Sequence, residues 1–223
     1  VIEVFFLYLL FNSELTTKQK NMKKIIVLVA AFALLSGGIS AQFTKLGGGL
    51  GFTTGYKFHD QEWSANKSQN FVIHAMGIYE LNLPFHIAPS YTFFLPTVEK
   101  SVGPMDTFKS TLTTMMFDVN GHYVFNELDK VEFYALAGLD VMLAWRKEVI
   151  KMTGSVPSTS KSTESDNALG LNLGAGGYMK LTEQLDLFFE AKYILFSKYD
   201  QLMVNAGVLV NIDWLAKNEK GGI

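Results

Sequence analysis

The chain has no cysteine among its 223 residues. That excludes disulfides, thiolate metal centres and a lipid anchor on an N-terminal cysteine. Charge is also scarce. Charged residues make up 18% and the formal net charge is −2, so no strong field argues for nucleic acid. Long apolar runs are missing as well. After residue 41 none approaches the roughly 20 residues that a membrane-spanning helix needs. Present instead are 18 Phe, 9 Tyr and 19 Gly. A chain this apolar without a helical span must hide its apolar surface in an alternating pattern.

The N-terminal part reads as a targeting segment. Met22 is followed by Lys23 and Lys24, then by the apolar stretch Ile25 to Leu35, then by small residues at Ile39-Ser40-Ala41. These are the charged, apolar and cleavage regions of a signal peptide, which places cleavage before Gln42. Residues 22–41 are thus expected to be removed, and residues 1–21 read as upstream sequence from a misplaced start. A genuine N-terminal extension is the alternative. Residues 42–215 are of one-domain size, and 216–223 form a polar tail.

Period-two alternation recurs eight times after the signal. Leu46, Leu50, Phe52, Tyr56 and Phe58 oppose Gly47, Gly49, Gly51 and Thr53. Phe71, Ile73, Ala75 and Tyr79 oppose His74 and Glu80. Phe85, Ile87, Tyr91, Phe93 and Leu95 oppose His86, Ala88, Ser90 and Thr92. Met115, Phe117, Val119, Tyr123 and Phe125 oppose Thr114, Asp118, Asn120 and His122. Val131, Phe133, Ala135, Leu139, Val141, Leu143 and Trp145 oppose Glu132, Gly138, Asp140 and Arg146. Leu169, Leu171, Leu173, Ala175 and Met179 oppose Asn172, Gly174, Gly176 and Lys180. Leu185, Leu187, Phe189, Tyr193 and Leu195 oppose Asp186, Glu190 and Lys192. Leu202, Val204, Ala206, Val208, Val210 and Ile212 oppose Asn205, Gly207, Asn211 and Asp213. Most of these runs have the length of a tilted spanning strand, about 9–11 residues.

Connectors alternate too, except for a tight hairpin near Tyr199-Asp200. Those at 81–84, 126–130 and 181–184 are short, and those at 59–70, 96–106 and 148–167 are long. The last carries GSVPSTSKSTESDN, a polar stretch with nothing to bury. Short turns on one side and long loops on the other are the asymmetry of an outer-membrane barrel. Such a barrel must close, because unpaired backbone groups in hydrocarbon cost several kcal/mol each.

The polar parity is rich in small residues and the apolar parity carries the large ones. Small inside and large outside suits a narrow polar lumen within a lipid-facing wall. Tyr79, Phe85, Tyr123, Phe125 and Phe133 flank the short turns, and Tyr56, Phe58, Phe71, Phe93 and Trp145 flank the long loops. Two such bands predict interfacial girdles.

The signal peptide, the eight alternating strands and runs such as LDLFFEAKYILF and LMVNAGVLVNI resemble the small eight-stranded outer-membrane β-barrel family, that of OmpX-type proteins and the OmpA transmembrane domain. The resemblance covers about residues 43–213 and rests on pattern rather than on an invariant motif. It implies an all-β, antiparallel, up-and-down transmembrane barrel in the outer membrane of a Gram-negative bacterium. Its implied partners are outer-membrane lipid and lipopolysaccharide, and the barrel assembly machinery. An extracellular partner would meet loops 59–70, 96–106 and 148–167. One departure is that the chain runs past Trp214 into its tail, whereas members often end on an aromatic.

Buried charges must pair. Asp118, Asp140 and Glu190 against Lys192 and Arg146 read as a polar plug filling the lumen, with a narrow gated pore as the alternative. His74, His86 and His122 fall on the lumen parity and His59 in a loop, none beside a Ser and a carboxylate in a catalytic motif. A lipid-modifying barrel enzyme and an exported soluble barrel around an apolar ligand are the rival readings. No catalytic, cofactor or metal residues are assigned from the sequence.

Overall fold

The computed structural model describes residues 43–54, 71–82, 84–128, 130–153, 157–196 and 200–212. The signal segment, residues 1–21, Gln42, Tyr56, Phe58, the connector 59–70, Trp214 and the tail 216–223 lie outside the described residues.

Eight strands follow in order: β1 Lys45–Thr53, β2 Phe71–Asn82, β3 Phe85–Val102, β4 Asp106–Leu128, β5 Val131–Met152, β6 Ser158–Lys180, β7 Leu185–Phe196 and β8 Asp200–Asn211. Each pairs antiparallel with its neighbours in the chain, and β1 pairs with β8 to close the ring. The alternation explains the closure. A strand that carries apolar side chains on its outer face can satisfy its backbone only through two partners. On every strand the apolar parity named above faces outward and the other faces the lumen. Leu50, Leu139 and Leu169 are 71%, 65% and 64% exposed, whereas Asn172 and His74 are buried. Among the described residues no helix is long and apolar enough to cross a membrane.

At the seam the β8 backbone leaves no room for a side chain at Gly49. Gly49 pairs with Gly207, and a Cβ at Gly49 would strike the Ala206 carbonyl oxygen and stand 2.7 Å from the Gly207 Cα. Only a residue without a side chain fits there.

Two of the expected long loops are corrected. Residues 96–106 and 148–167 are mostly strand, leaving 103–105 and 153–157 between strands. β3 to β6 are 18, 23, 22 and 23 residues long, against 9 to 12 for the others. Pairing of β2 on β3 begins at Phe94, and pairing of β7 on β6 stops at Gly170. Beyond those points β3–β4–β5–β6 continue as a four-stranded sheet standing above the ring. The ladder there is complete, with Ser158 to Asn167 opposite Met152 to Leu143. Polar residues on both faces give no period-two signal, but the backbone pairs regardless.

A bulge at the root of this sheet changes its facing. The β3–β4 register slips between Phe94 and Thr97, adding one residue to β3. Pro96 lies in the slip, on a stretch with no β2 partner, where proline is tolerated.

The expectation of small lumen residues is corrected as well. Tyr134, Phe94, Phe188, Ile78, Met116 and Met142 are fully buried inside the ring. They form two apolar layers. One, with Phe94, Leu112, Met116, Met142 and Ile194, lies toward the tall hairpins. The other, with Ile78, Leu136, Tyr134, Tyr178 and Phe188, lies toward the short turns.

Candidate functional site

Between the two apolar layers lies a polar one. Its centre is Lys192, which β7 points inward together with Glu190 two positions earlier. Lys192, Glu190 and Asp118 are 1%, 2% and 3% exposed. The Lys192 Nζ lies 3.0 Å from Asp118 Oδ1 and 3.6 Å from Glu190 Oε1. Ser90 Oγ and Asn120 Nδ2 also donate to Asp118, at 2.5 and 2.6 Å, and Asn172 Nδ2 donates to Asn120 at 2.9 Å. Asp118 is thus the acceptor on which the donors of this layer converge.

Glu190 leads toward the short turns. Tyr134 donates to it at 3.2 Å, and His122 Nε2 stands 3.8 Å away. His122 stacks on Tyr134 with ring centroids 4.2 Å apart and shares a hydrogen bond with the Tyr178 hydroxyl. His74 shares one with Thr92 at 2.9 Å. Ser90 is engaged by Asp118 and by no histidine.

The expected plug residues separate into three situations. Asp118, Glu190 and Lys192 come together. Asp140 is buried opposite Asp118 in the β4–β5 ladder, but its carboxylate makes no hydrogen bond among the described residues. Arg146 is corrected: it lies above the ring, 3.3 Å from Glu148 and 2.7 Å from Glu164, and does not reach the Lys192 cluster. Parity had shown its face but not its height. Tyr134 and Tyr178 escaped sequence reasoning, which looked for small or charged side chains inside.

A second polar group closes the short-turn mouth. Lys45 bridges Asp186 at 3.0 Å and Glu80 at 3.3 Å, beside the Tyr178 ring. It borders a cleft of about 260 Å³ that also touches Glu132 and Lys180. Among the described residues no group of three His, Asp or Glu is placed to hold a metal ion.

On the outer wall, Phe85 and Tyr123 meet at 5.2 Å near the short turns, with Phe125 exposed beyond them. Phe133 meets Phe189 at 6.2 Å, and Tyr79 pairs with Ile87. At the other end Phe71 packs edge-on to Phe52 at 5.7 Å, Phe93 pairs with Met115, and Trp145 sits between Thr113 and Ser165. Tyr91 and Phe117 form a further pair between the two ends, level with Ser90 and Asp118.

A closed antiparallel ring of eight strands with a predominantly apolar outer wall is a transmembrane β-barrel. Residues 25–211 match the outer membrane protein β-barrel domain, and the chain belongs to that family. No curated protein sequence matches the chain. Among solved structures it is similar to Ail of Yersinia pestis, determined in complex with the heparin analogue sucrose octasulfate. That likeness has a TM-score of 0.50 and 14% identity, and covers 74% of this chain and 95% of Ail. It is also similar to a major outer membrane protein of Thermus thermophilus, at TM-score 0.49 and 12% identity, over 74% and 98% of the two chains. The N-terminal β-barrel domain of Pseudomonas aeruginosa OprF aligns at TM-score 0.43 and 14% identity, over 75% and 97%.

Proposed function

We propose that the protein is an outer-membrane barrel with an occluded lumen, working through the surface its tall hairpins present outside the cell and catalysing no reaction. The observation that carries this reading is the stacking inside the ring. A charged layer around Lys192 is capped on both sides by apolar layers. An eight-stranded interior is just wide enough for side chains to fill, whereas water-filled porins use about 16–18 strands. Asp118, Glu190 and Tyr134 give the Lys192 cluster protein partners in place of water, while the Asp140 carboxylate beside it makes no hydrogen bond among the described residues. The lumen histidines are tied to Thr92, Tyr178 and the Tyr134 ring. His122 stands between the Tyr178 hydroxyl and the Glu190 carboxylate, but all three are buried among the lumen side chains, and Ser90 is bonded to Asp118 rather than to a histidine among the described residues.

In this reading the chain is exported, cut before Gln42 and inserted by the barrel assembly machinery. Its outer wall meets lipid, with the aromatic pairs at the two ends as interfacial anchors. The short turns lie in the periplasm. The test is electrical. Purified protein in planar bilayers gives no steady unit conductance, and incubation with lipopolysaccharide leaves the lipid's mass unchanged. Stable channels of uniform size would establish the gated pore instead, and a mass change would establish the enzyme.

A further inference from the structure

The four-stranded sheet above the ring has two faces of opposite chemistry. The inward face carries the acids. Glu99, Glu148 and Glu164 share it with Arg146, Phe108 and Leu112, as the rows Glu99–Ser110–Glu148–Ser162 and Leu112–Arg146–Glu164 show. The outward face carries lysines. One row reads Lys100–Lys109–Val149–Lys161, with Val102–Thr107–Lys151–Thr159 and Val98–Thr111–Lys147–Thr163 on either side. On these three outward rows Lys100, Lys109, Lys147, Lys151 and Lys161 are all exposed, and no acid stands among them. None of the five has an ion-pair partner among the described residues.

Such a face needs an anion. Lys100 lies directly opposite Lys109, a like-charge pair that destabilises a sheet by itself. Lys147 and Lys151 flank Val149 on the strand beside them. The partition is specific, because acids are available on the same strands but turned the other way. The slip at Pro96 turns Lys100 outward and Glu99 inward.

The position of the face says which anion. It continues the wall that contacts lipid. On β5 the outward series is Leu139, Val141, Leu143 and Trp145, and the next outward residues are Lys147, Val149 and Lys151. At about 3.3 Å per residue, these lysines begin about 7 Å along the strand from Trp145 and end about 20 Å from it. That is the depth of headgroups and inner sugars above an apolar band. Lysine stems can lie along Val98, Val102 and Val149 while the ammonium groups reach phosphate. Threonine hydroxyls at positions 107, 111, 159 and 163 stand between them as further donors. We propose that this lysine face binds the phosphate groups of lipopolysaccharide in the surrounding outer leaflet, fixing a shell of that lipid against the β3–β6 side of the barrel. The proposal rests on the reading that the tall hairpins stand outside the cell.

The absence of cysteine makes the test direct. Thr163→Cys gives a single attachment point on the outward face beside Lys147, and a donor fluorophore there reports approach of acceptor-labelled lipopolysaccharide. The full chain is refolded into phosphatidylcholine bilayers containing the labelled lipid, either intact or dephosphorylated. Heat-modifiable migration first establishes that the barrel has formed; failure there counts against the barrel reading itself. In folded protein, energy transfer exceeds that of random mixing for the intact lipid and falls to it for the dephosphorylated one. Lys109→Gln and Lys147→Gln each weaken the enrichment about fivefold. Glu164→Gln, on the inward face, leaves it unchanged. Equal transfer from both lipids in folded protein would overturn the proposal. So would displacement of the intact lipid by soluble heparin, which would assign the face to a polyanion outside the membrane.

Discussion

Lys192 of β7 meets Asp118 of β4 at 3.0 Å across the interior of the barrel, joining two strands that are not neighbours in the ring. The wall is held by backbone ladders between adjacent strands. This pair ties opposite sides of it, and the same ammonium also lies 3.6 Å from Glu190, so one cation faces two carboxyl groups.

Lys192→Met leaves Asp118 and Glu190 buried without their cation. Breaking a buried pair by removing one member costs about 3–5 kcal/mol. Urea unfolding of the protein in bilayers is expected to show a loss of that order. Asp118→Asn combined with Lys192→Met is expected to regain part of it, because the uncompensated charge at 118 is gone. A single mutant as stable as the native chain would show that the pair contributes nothing.

The outer and inner faces of β5 should respond to different chemistry. Leu139→Arg places a charge on the lipid wall level with Asp140 and is expected to cost roughly 2–4 kcal/mol. Leu139→Phe is expected to be near neutral there, since lipid adapts to shape. Met142→Ala, in the apolar layer, opens a cavity and is expected to cost about 2–5 kcal/mol. The same unfolding assay reads all three.

The seam depends on Gly49. An added methyl meets the β8 backbone at Ala206 and Gly207, so Gly49→Ala must push the first and last strands apart. Overpacking of this kind costs about 1–3 kcal/mol. A lower folded fraction in heat-modifiable migration is the expected result, and Gly121→Ala, whose Cβ would meet only the Ala137 oxygen at 3.7 Å, is the matched control.

An epitope inserted between Thr153 and Pro157 falls between strands. It is expected to be reached by antibody on intact cells without loss of folded protein. The same epitope after Ser160 interrupts the ladder opposite Ile150 and is expected to reduce folding. Protection of the first tag until the outer membrane is permeabilised would invert the orientation.

Which side of each strand faces the lumen was legible from the sequence for all eight strands, since each crosses from lipid to interior and so must alternate. Height was not. Arg146 has the lumen parity, yet its place six positions along β5 from Asp140 carries it above the ring to Glu164. Residues 148–152 of β5 and 158–167 of β6 read as loop from the sequence because Ser160, Lys161, Ser162 and Thr163 are polar in both directions. Hydropathy sees a strand only where its two sides differ. Tyr134 and Phe188 were missed for a related reason. Large apolar residues at lumen positions look like breaks in the pattern, although two apolar layers are what enclose the charge around Lys192.

The slip at Pro96 has a consequence for how this surface can change. Beyond it, side chains on β3 exchange sides with a one-residue change in their pairing register on β4. Closing the bulge with every residue retained would set Glu99 opposite Lys109 on the outward face and Lys100 opposite Phe108 on the inward one, whereas deleting Pro96 would remove the extra residue and leave the facing as it is. Substitution would have to alter those positions one at a time, passing through intermediates with mixed charge. A slip of one position in pairing at this bulge reverses the facing of the upper β3 side chains at once, without replacing any of them.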